Sequence, residues 1–300
     1  MICRMLPKAN WPALTLVQAL VFLVMLAKCD VRVAHASAYE LEPHLHAEGV
    51  FSDMFNSAGE SINEAPAGGA LLPVVSSART NRPAGAQWDF TGTSSGSNLW
   101  VLPKNSTPGV LFLGIGAEEI TSADITGPIT LAFQSLSAPS GGVFSVWDFN
   151  QFGSLTPLIT SASGFGLGNS VTIAAGGHSH FNYGFTTPGL YQVTFLASAT
   201  LSSSLGGGEV SGTGTFSFGV FGVGQSYPAE PLAPYVFFGQ TFDNFIYGDG
   251  HVDMGVALTA VPEPSSVVLA GLGAAGVLAV GWRRRRRAVA RNSVVADIAR

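Results

Sequence analysis

The central part of this 300-residue chain predicts an all-β fold, an antiparallel β-sandwich with the jelly roll as one form of it. Three observations carry that expectation. Short segments alternate apolar residues with Gly, Ser and Thr, the period of a strand with one buried face. Turn-forming clusters separate them at Pro108-Gly109, Ser140-Gly141-Gly142, Pro188-Gly189 and Gly206-Gly207-Gly208. No strand–helix–strand rhythm appears, which argues against a Rossmann or α/β-barrel enzyme.

Taken in order, strands are predicted over 110–115, 129–133, 143–149, 171–174, 190–199, 213–221, 236–238 and 254–260. The clearest is 190–199, where Tyr191, Val193, Phe195 and Ala197 share one side and Gln192 and Thr194 the other. In 213–221, Phe216, Phe218 and Val220 alternate with Thr215, Ser217 and Gly219, and in 129–133 Ile129, Leu131 and Phe133 do the same. Half-apolar strands of this kind bury their faces against another sheet. Residues 55–87, rich in Ala, Gly and Pro, read as a long loop or insertion, and 228–234 as an irregular connection.

The two ends read differently. Residues 13–27 form an apolar run preceded by Arg4 and Lys8 and followed by Ala34-His35-Ala36, the three parts of a secretory signal peptide over 1–36. A single ectodomain is expected over 37–260. Beyond it, Val261-Pro262-Glu263-Pro264-Ser265 leads into an apolar run over 267–281, then Trp282 and Arg283 to Arg287. That run is about fifteen residues, marginal for a bilayer, and the arginines keep its far edge cytoplasmic. Residues 261–287 are therefore a sorting and transmembrane segment, and 288–300 a short tail.

This end resembles the PEP-CTERM sorting signal, on the strength of Pro262-Glu263-Pro264, the short hydrophobic segment and the arginine cluster in that order. The resemblance implies an exosortase as processing partner, transient anchoring in a bacterial inner membrane, and release to the cell surface or an extracellular matrix, with polysaccharide or envelope components as partners. The tail after the arginines departs from the usual pattern.

Charge and cysteine usage narrow the function. Between residues 37 and 263 only Arg79, Arg82 and Lys104 are basic, against seventeen Asp and Glu, a formal charge of −14 with histidines neutral. Such a surface repels nucleic acid and favours cations. Cys3 and Cys29 both precede the expected cleavage point, so neither a disulfide nor a thiolate ligand is expected in the ectodomain.

The histidines carry the one chemical signal. His178 and His180 are two apart, His251 stands two before Asp253, and His44 and His46 form a third pair near the expected mature N-terminus. On a strand, residues i and i+2 project from one face, so each pair delivers two ligands to one point. Imidazole and carboxylate without sulfur suit a divalent transition metal, zinc first. His178, His180, His251 and Asp253 are the expected metal ligands; no other cofactor is expected. No catalytic residues are expected either: Glu118 and Glu119 are adjacent and would point to opposite faces of a strand. With Asp124 they read as a solvated edge, and no nucleophile elbow or His-Glu-x-x-His motif occurs.

The run from Gly176-Gly177-His178-Ser179-His180 through Phe181-Asn182-Tyr183-Gly184-Phe185 to Pro188-Gly189-Leu190-Tyr191 resembles the surface-anchored proteins called choice-of-anchor M domains. Trp100-Val101-Leu102-Pro103, the segment from Leu113 to Ile120, and Phe144-Ser145-Val146-Trp147 fit the same family in order. Gly250-His251-Val252-Asp253 resembles a segment from the start of such domains but lies here at the end. The resemblance implies a surface-anchored protein without an established enzyme activity. The expected function is that of a non-enzymatic structural or adhesive surface protein, with two alternatives: a zinc-type metal-binding surface protein, and a polysaccharide-binding module or glycoside hydrolase.

Overall fold

The computed structural model describes residues 44–46, 54–163, 168–256 and 258–260. These belong to one compact unit that ends at Ala260. The expected leader, sorting helix and tail lie outside the described residues. Among the described residues no helix is long and apolar enough to cross a membrane.

The fold is all-β. One sheet follows the order Ser170–Ile173, Ile125–Ser137, Gly189–Leu201, Glu209–Val220, Thr259–Ala260, with Leu71–Val74 added in parallel to Glu209–Val220. Its centre is Gly189–Leu201, where buried and half-buried residues alternate from Gly189 to Ala199. Tyr191, Val193 and Phe195 face the core, as the sequence period requires. A second sheet runs Leu155–Thr160, Phe144–Phe149, Asn182–Phe185, Asn98–Leu102, Arg79–Asn81. Its Trp100, Phe144, Val146, Tyr183 and Phe185 join the same core. The Tyr191 hydroxyl donates to the Thr187 carbonyl at 2.9 Å and accepts from the Thr187 amide at 3.1 Å, which ties the turn before its strand to the strand itself.

A third sheet has the order His178–His180, Phe112–Gly116, His251–Gly255, His44–His46, Glu64–Pro66. Its pairings are antiparallel except for His251–Gly255, which lies parallel to Phe112–Gly116. Leu113, Ile115, Val252, Met254 and Ala65 turn one face into the common core. Alternation then leaves Phe112, Gly114, Gly116, His251 and Asp253 on the other.

Two expectations need correction. Residues 55–87 are no loop: they contain Ser61–Ile62, Glu64–Pro66, Leu71–Val74 and Arg79–Asn81. These strands are too short to show a period, and Leu71–Val74 is buried throughout, so it has no alternation to read. The strand expected over 254–260 is instead His251–Gly255, with Thr259–Ala260 in a different sheet. The irregular stretch before Pro234 is as expected.

Candidate metal site

The site begins with the central strand Phe112-Leu113-Gly114-Ile115-Gly116. Its core-facing Leu113 and Ile115 force residues 112, 114 and 116 onto the outer face, and two of the three are glycines. The antiparallel neighbour sets His178 opposite Gly116 and His180 opposite Gly114. The parallel neighbour sets His251 beside Phe112 and Asp253 beside Gly114. The two i, i+2 pairs therefore flank one glycine-floored strand from either side.

That floor is required. A Cβ on Gly114 would lie 1.8 Å from Asp253 Oδ1 and 2.9 Å from His180 Cε1, so the space a side chain would occupy is filled by the carboxylate leaning across the strand. Residue 116 is tight for a different reason: a Cβ there would meet Glu118 Oε2 at 2.6 Å.

Ligand atoms of His178, His180 and His251 all lie within 4.8 Å of one another, as do those of Glu118, His178 and Asp253. The ring centroids of His178 and His180 are 5.0 Å apart, and those of His180 and His251 5.1 Å. Phe112 stacks on His180 at 3.7 Å with an interplanar angle of 10°, walling one side.

The orientation of His180 is set by its backbone bond. Nδ1 lies 2.9 Å from the Leu113 carbonyl oxygen. A carbonyl can only accept, so Nδ1 carries the proton and Nε2 keeps its lone pair, the arrangement found in metal-ligating histidines. Burial holds the imidazole below its usual value, outweighing the bond to Leu113 and the charge of Asp253, so His180 is neutral at neutral pH. On the open side, His178 Nδ1 is 3.0 Å from Glu118 Oε1, with both side chains more than a third exposed.

Asp253 is the anomaly of the site. Its side chain is 2 % exposed, and neither carboxylate oxygen has a hydrogen-bond partner. His251 Nε2 lies 3.5 Å from Oδ2. The effective penalty for burying a carboxylate is several kcal/mol unless positive charge or hydrogen bonds compensate. The three Lys and Arg residues of the described segments are engaged elsewhere: Arg79 on Asn98, Arg82 on Asp89, and Lys104 on Asp148. Compensation at Asp253 falls to the imidazoles or to a bound cation. Burial first, and then the charge of Asp253, push the nearby Tyr183 phenol well above its usual range, so it stays neutral.

The structure thus brings His178, His180, His251 and Asp253 to one place. Glu118, expected on a solvated edge, joins them. It sits in the turn after Phe112–Gly116 rather than on a strand. The Ala117 amide bonds the Gly177 carbonyl at 2.9 Å and the Gly176 amide bonds the Ala117 carbonyl at 3.1 Å, which carries the turn up to His178. No spacing pattern in the sequence marks that contact. Gly114, Gly116 and Phe112 were equally silent, since glycines in a short apolar run read as loosened strand.

Comparison with known proteins speaks to the end of the chain. Residues 260–286 match the family model described as the PEP-CTERM protein-sorting motif. That motif implies export, transient membrane anchoring, processing by an exosortase, and a final location at the surface or outside the cell. A search of curated proteins and a search of solved structures found no match.

Proposed function

We propose that this exported protein binds one divalent transition metal, zinc first, on the outer face of its third sheet through His178, His180, His251 and Asp253. The observation that carries the reading is Asp253: a buried carboxylate without hydrogen bonds, beside three imidazoles whose ligand atoms lie within 4.8 Å of one another. A nitrogen and oxygen donor set without thiolate suits zinc, copper or nickel. Half-exposed His178 and Glu118 leave the site accessible for loading. The Leu113 carbonyl supports His180 as the outer partner of such a ligand usually does.

The wider reading is a non-enzymatic structural or adhesive surface protein for which the metal fixes one face, organised as a leader over 1–36, an ectodomain over 37–260, a sorting segment over 261–287 and a tail. A sandwich-like layering is supported by the common core shared by the three larger sheets. Kinship with choice-of-anchor M domains belongs to the same proposal and rests on the Gly-His-Ser-His-Phe-Asn-Tyr run. The test is elemental mass spectrometry on the full chain, purified with a histidine-free tag after zinc exposure. Near-stoichiometric zinc that disappears in His178→Ala/His180→Ala is expected, and a folded, metal-free wild type would sink the reading.

Glycan binding is a second reading with its own support. Phe149 and Phe152, 41 % and 83 % exposed, stand at the end of the Phe144–Phe149 strand. Phe149, Leu158 and Phe181 line a cavity of about 300 Å³ together with Asp148, Asn150 and Thr156. Asp148 is tied to Lys104 Nζ at 2.8 Å, which suits holding a ligand better than the opposed carboxylates of hydrolysis. Retardation in polysaccharide-containing gels, lost in Phe149→Ala/Phe152→Ala, is the expected result; equal mobility of both proteins would remove it.

A further inference from the structure

Glu118 has so far been a neighbour of the four histidine and aspartate ligands without a part of its own. It stands just past Phe112–Gly116, in the turn that the Ala117–Gly177 and Gly176–Ala117 backbone bonds hold against the start of His178–His180. From there its carboxylate folds back over the outer face, since a Cβ on Gly116 would lie 2.6 Å from Glu118 Oε2. The same Cβ would come within 3.4 Å of Asp253 Cβ. The central strand thus carries two glycines on one face, and each lies beneath a carboxylate: Asp253 over Gly114 and Glu118 over Gly116.

Two overlapping donor sets result. One is all nitrogen, from His178, His180 and His251; the other joins His178 to the carboxylates of Glu118 and Asp253, again with ligand atoms within 4.8 Å of one another. His178 Nδ1 is 3.0 Å from Glu118 Oε1, and His251 Nε2 is 3.5 Å from Asp253 Oδ2. Donors that share one ion keep about that spacing. With bonds of about 2.1 Å, neighbours stand about 3.0 Å apart at right angles and about 3.4 Å apart at the tetrahedral angle. Two carboxylates this close repel each other, and the buried one has neither oxygen hydrogen-bonded. A cation between them turns both terms favourable.

We infer that Glu118 is a fifth metal donor, on the open side of the site, and that it sets the coordination number. The inference rests on the metal reading above and enlarges its donor set. Charge favours it: Asp253 and Glu118 together match a divalent ion, whereas Asp253 alone leaves one positive charge unbalanced among neutral imidazoles. Exposure gives Glu118 a different part from Asp253. Its side chain is 40 % exposed against 2 %, so it is the donor that swings away without stranding a buried charge, and ions enter and leave on its side. Four donors suit the closed tetrahedron of structural zinc. A fifth selects ions that accept five or six ligands, zinc in its expanded form, nickel and manganese among them.

The test uses the full chain with a histidine-free tag, and zinc and cobalt(II) as probes. Zinc affinity is measured by chelator competition for wild type, Glu118→Gln and Glu119→Gln, with metal-free thermal unfolding as the check that each variant folds. Glu119 is the control: it is exposed like Glu118 and belongs to neither donor set. Cobalt(II) absorption reports coordination, since four-coordinate cobalt absorbs strongly in the visible and five-coordinate cobalt weakly. We expect weak bands in wild type and Glu119→Gln, and shifted, stronger bands in Glu118→Gln. Zinc affinity should fall at least about tenfold in Glu118→Gln, because even the outer partners of metal ligands are worth about 10–100-fold. A Glu118→Gln protein with the wild-type spectrum overturns the fifth donor; if its affinity has nevertheless fallen, Glu118 acts on His178 alone. Strong four-coordinate bands in wild type also overturn it and leave the four-residue site standing. Equal effects in Glu119→Gln would reduce it to surface charge. A wild type that binds neither ion overturns both readings.

Discussion

Gly114→Ala adds one methyl group at the floor of the candidate site. In the present backbone that carbon would sit 1.8 Å from Asp253 Oδ1 and 2.9 Å from His180 Cε1, far inside contact distance. The central strand cannot slide away, because Gly114 is in register with His180 on one side and Asp253 on the other. The carboxylate has to leave its position, and its side chain is only 2 % exposed, so it moves against packed neighbours. Overpacking of this order costs about 1–3 kcal/mol, which for a domain of this size lowers Tm by about 2–12 °C. Displacing Asp253 and crowding His180 should also weaken zinc binding at least about tenfold. Gly177→Ala is the matched control: one residue before His178, its Cβ would meet nothing nearer than the Ala174 carbonyl at 3.4 Å. Differential scanning calorimetry and zinc titration calorimetry read both effects. A Gly114→Ala protein with the wild-type Tm and wild-type zinc affinity would refute the reasoning, since the glycine would then be incidental.

Asp253→Asn should leave metal-free stability unchanged or raise it, because a buried charge is removed, while abolishing the gain of about 2.7 kcal/mol expected from zinc at a hundredfold excess over Kd; paired urea titrations with and without zinc check this. Without metal, the lowered His180 value gives stability a definite pH dependence. The unfolded chain takes up a proton near its ordinary value of 6.5 that the folded chain resists, so this contribution is complete above 6.5 and is lost as pH falls through the folded value. His251 and His178 reinforce the shift and Asp253 opposes it. Urea midpoints at about pH 7.5 and about pH 5.5 should differ less in His180→Asn than in wild type. In the second sheet, Trp147→Ala should cost about 3–5 kcal/mol, since the ring is buried against Phe90 and Trp88; zinc affinity should be unchanged by the same titration.

The site's ingredients were legible in the sequence and its assembly was only partly so. His-Ser-His and His-Val-Asp could be read as one-faced pairs because a strand's period is two and the intervening residues suit the opposite face. That the pairs meet depends on a parallel pairing between Phe112–Gly116 and His251–Gly255, segments more than a hundred residues apart, and no local pattern encodes such a pairing. Glu118 depends on the 117–177 backbone contacts, which are equally non-local. The long alternating strands were readable for the converse reason: Gly189–Leu201 presents enough residues to show its period. Leu155–Thr160 and Asn182–Phe185 escaped notice because Pro157 interrupts the first and burial of every residue in the second hides any alternation.

The parallel pairing of the last site strand also bears on when the proposed metal site is complete. His251 and Asp253 lie just before residue 260, where the match to the sorting motif begins. A chain drawn outward from its N-terminal end delivers these two residues after nearly all the rest of the domain. Until then the earlier pairs have no partner across Gly114. If the chain crosses the membrane before it folds, the compartment that receives it, rather than the one that makes it, determines which ions compete for the proposed site. Selectivity can come from location and timing as much as from ligand geometry, and the same sequence would load differently if it folded before export.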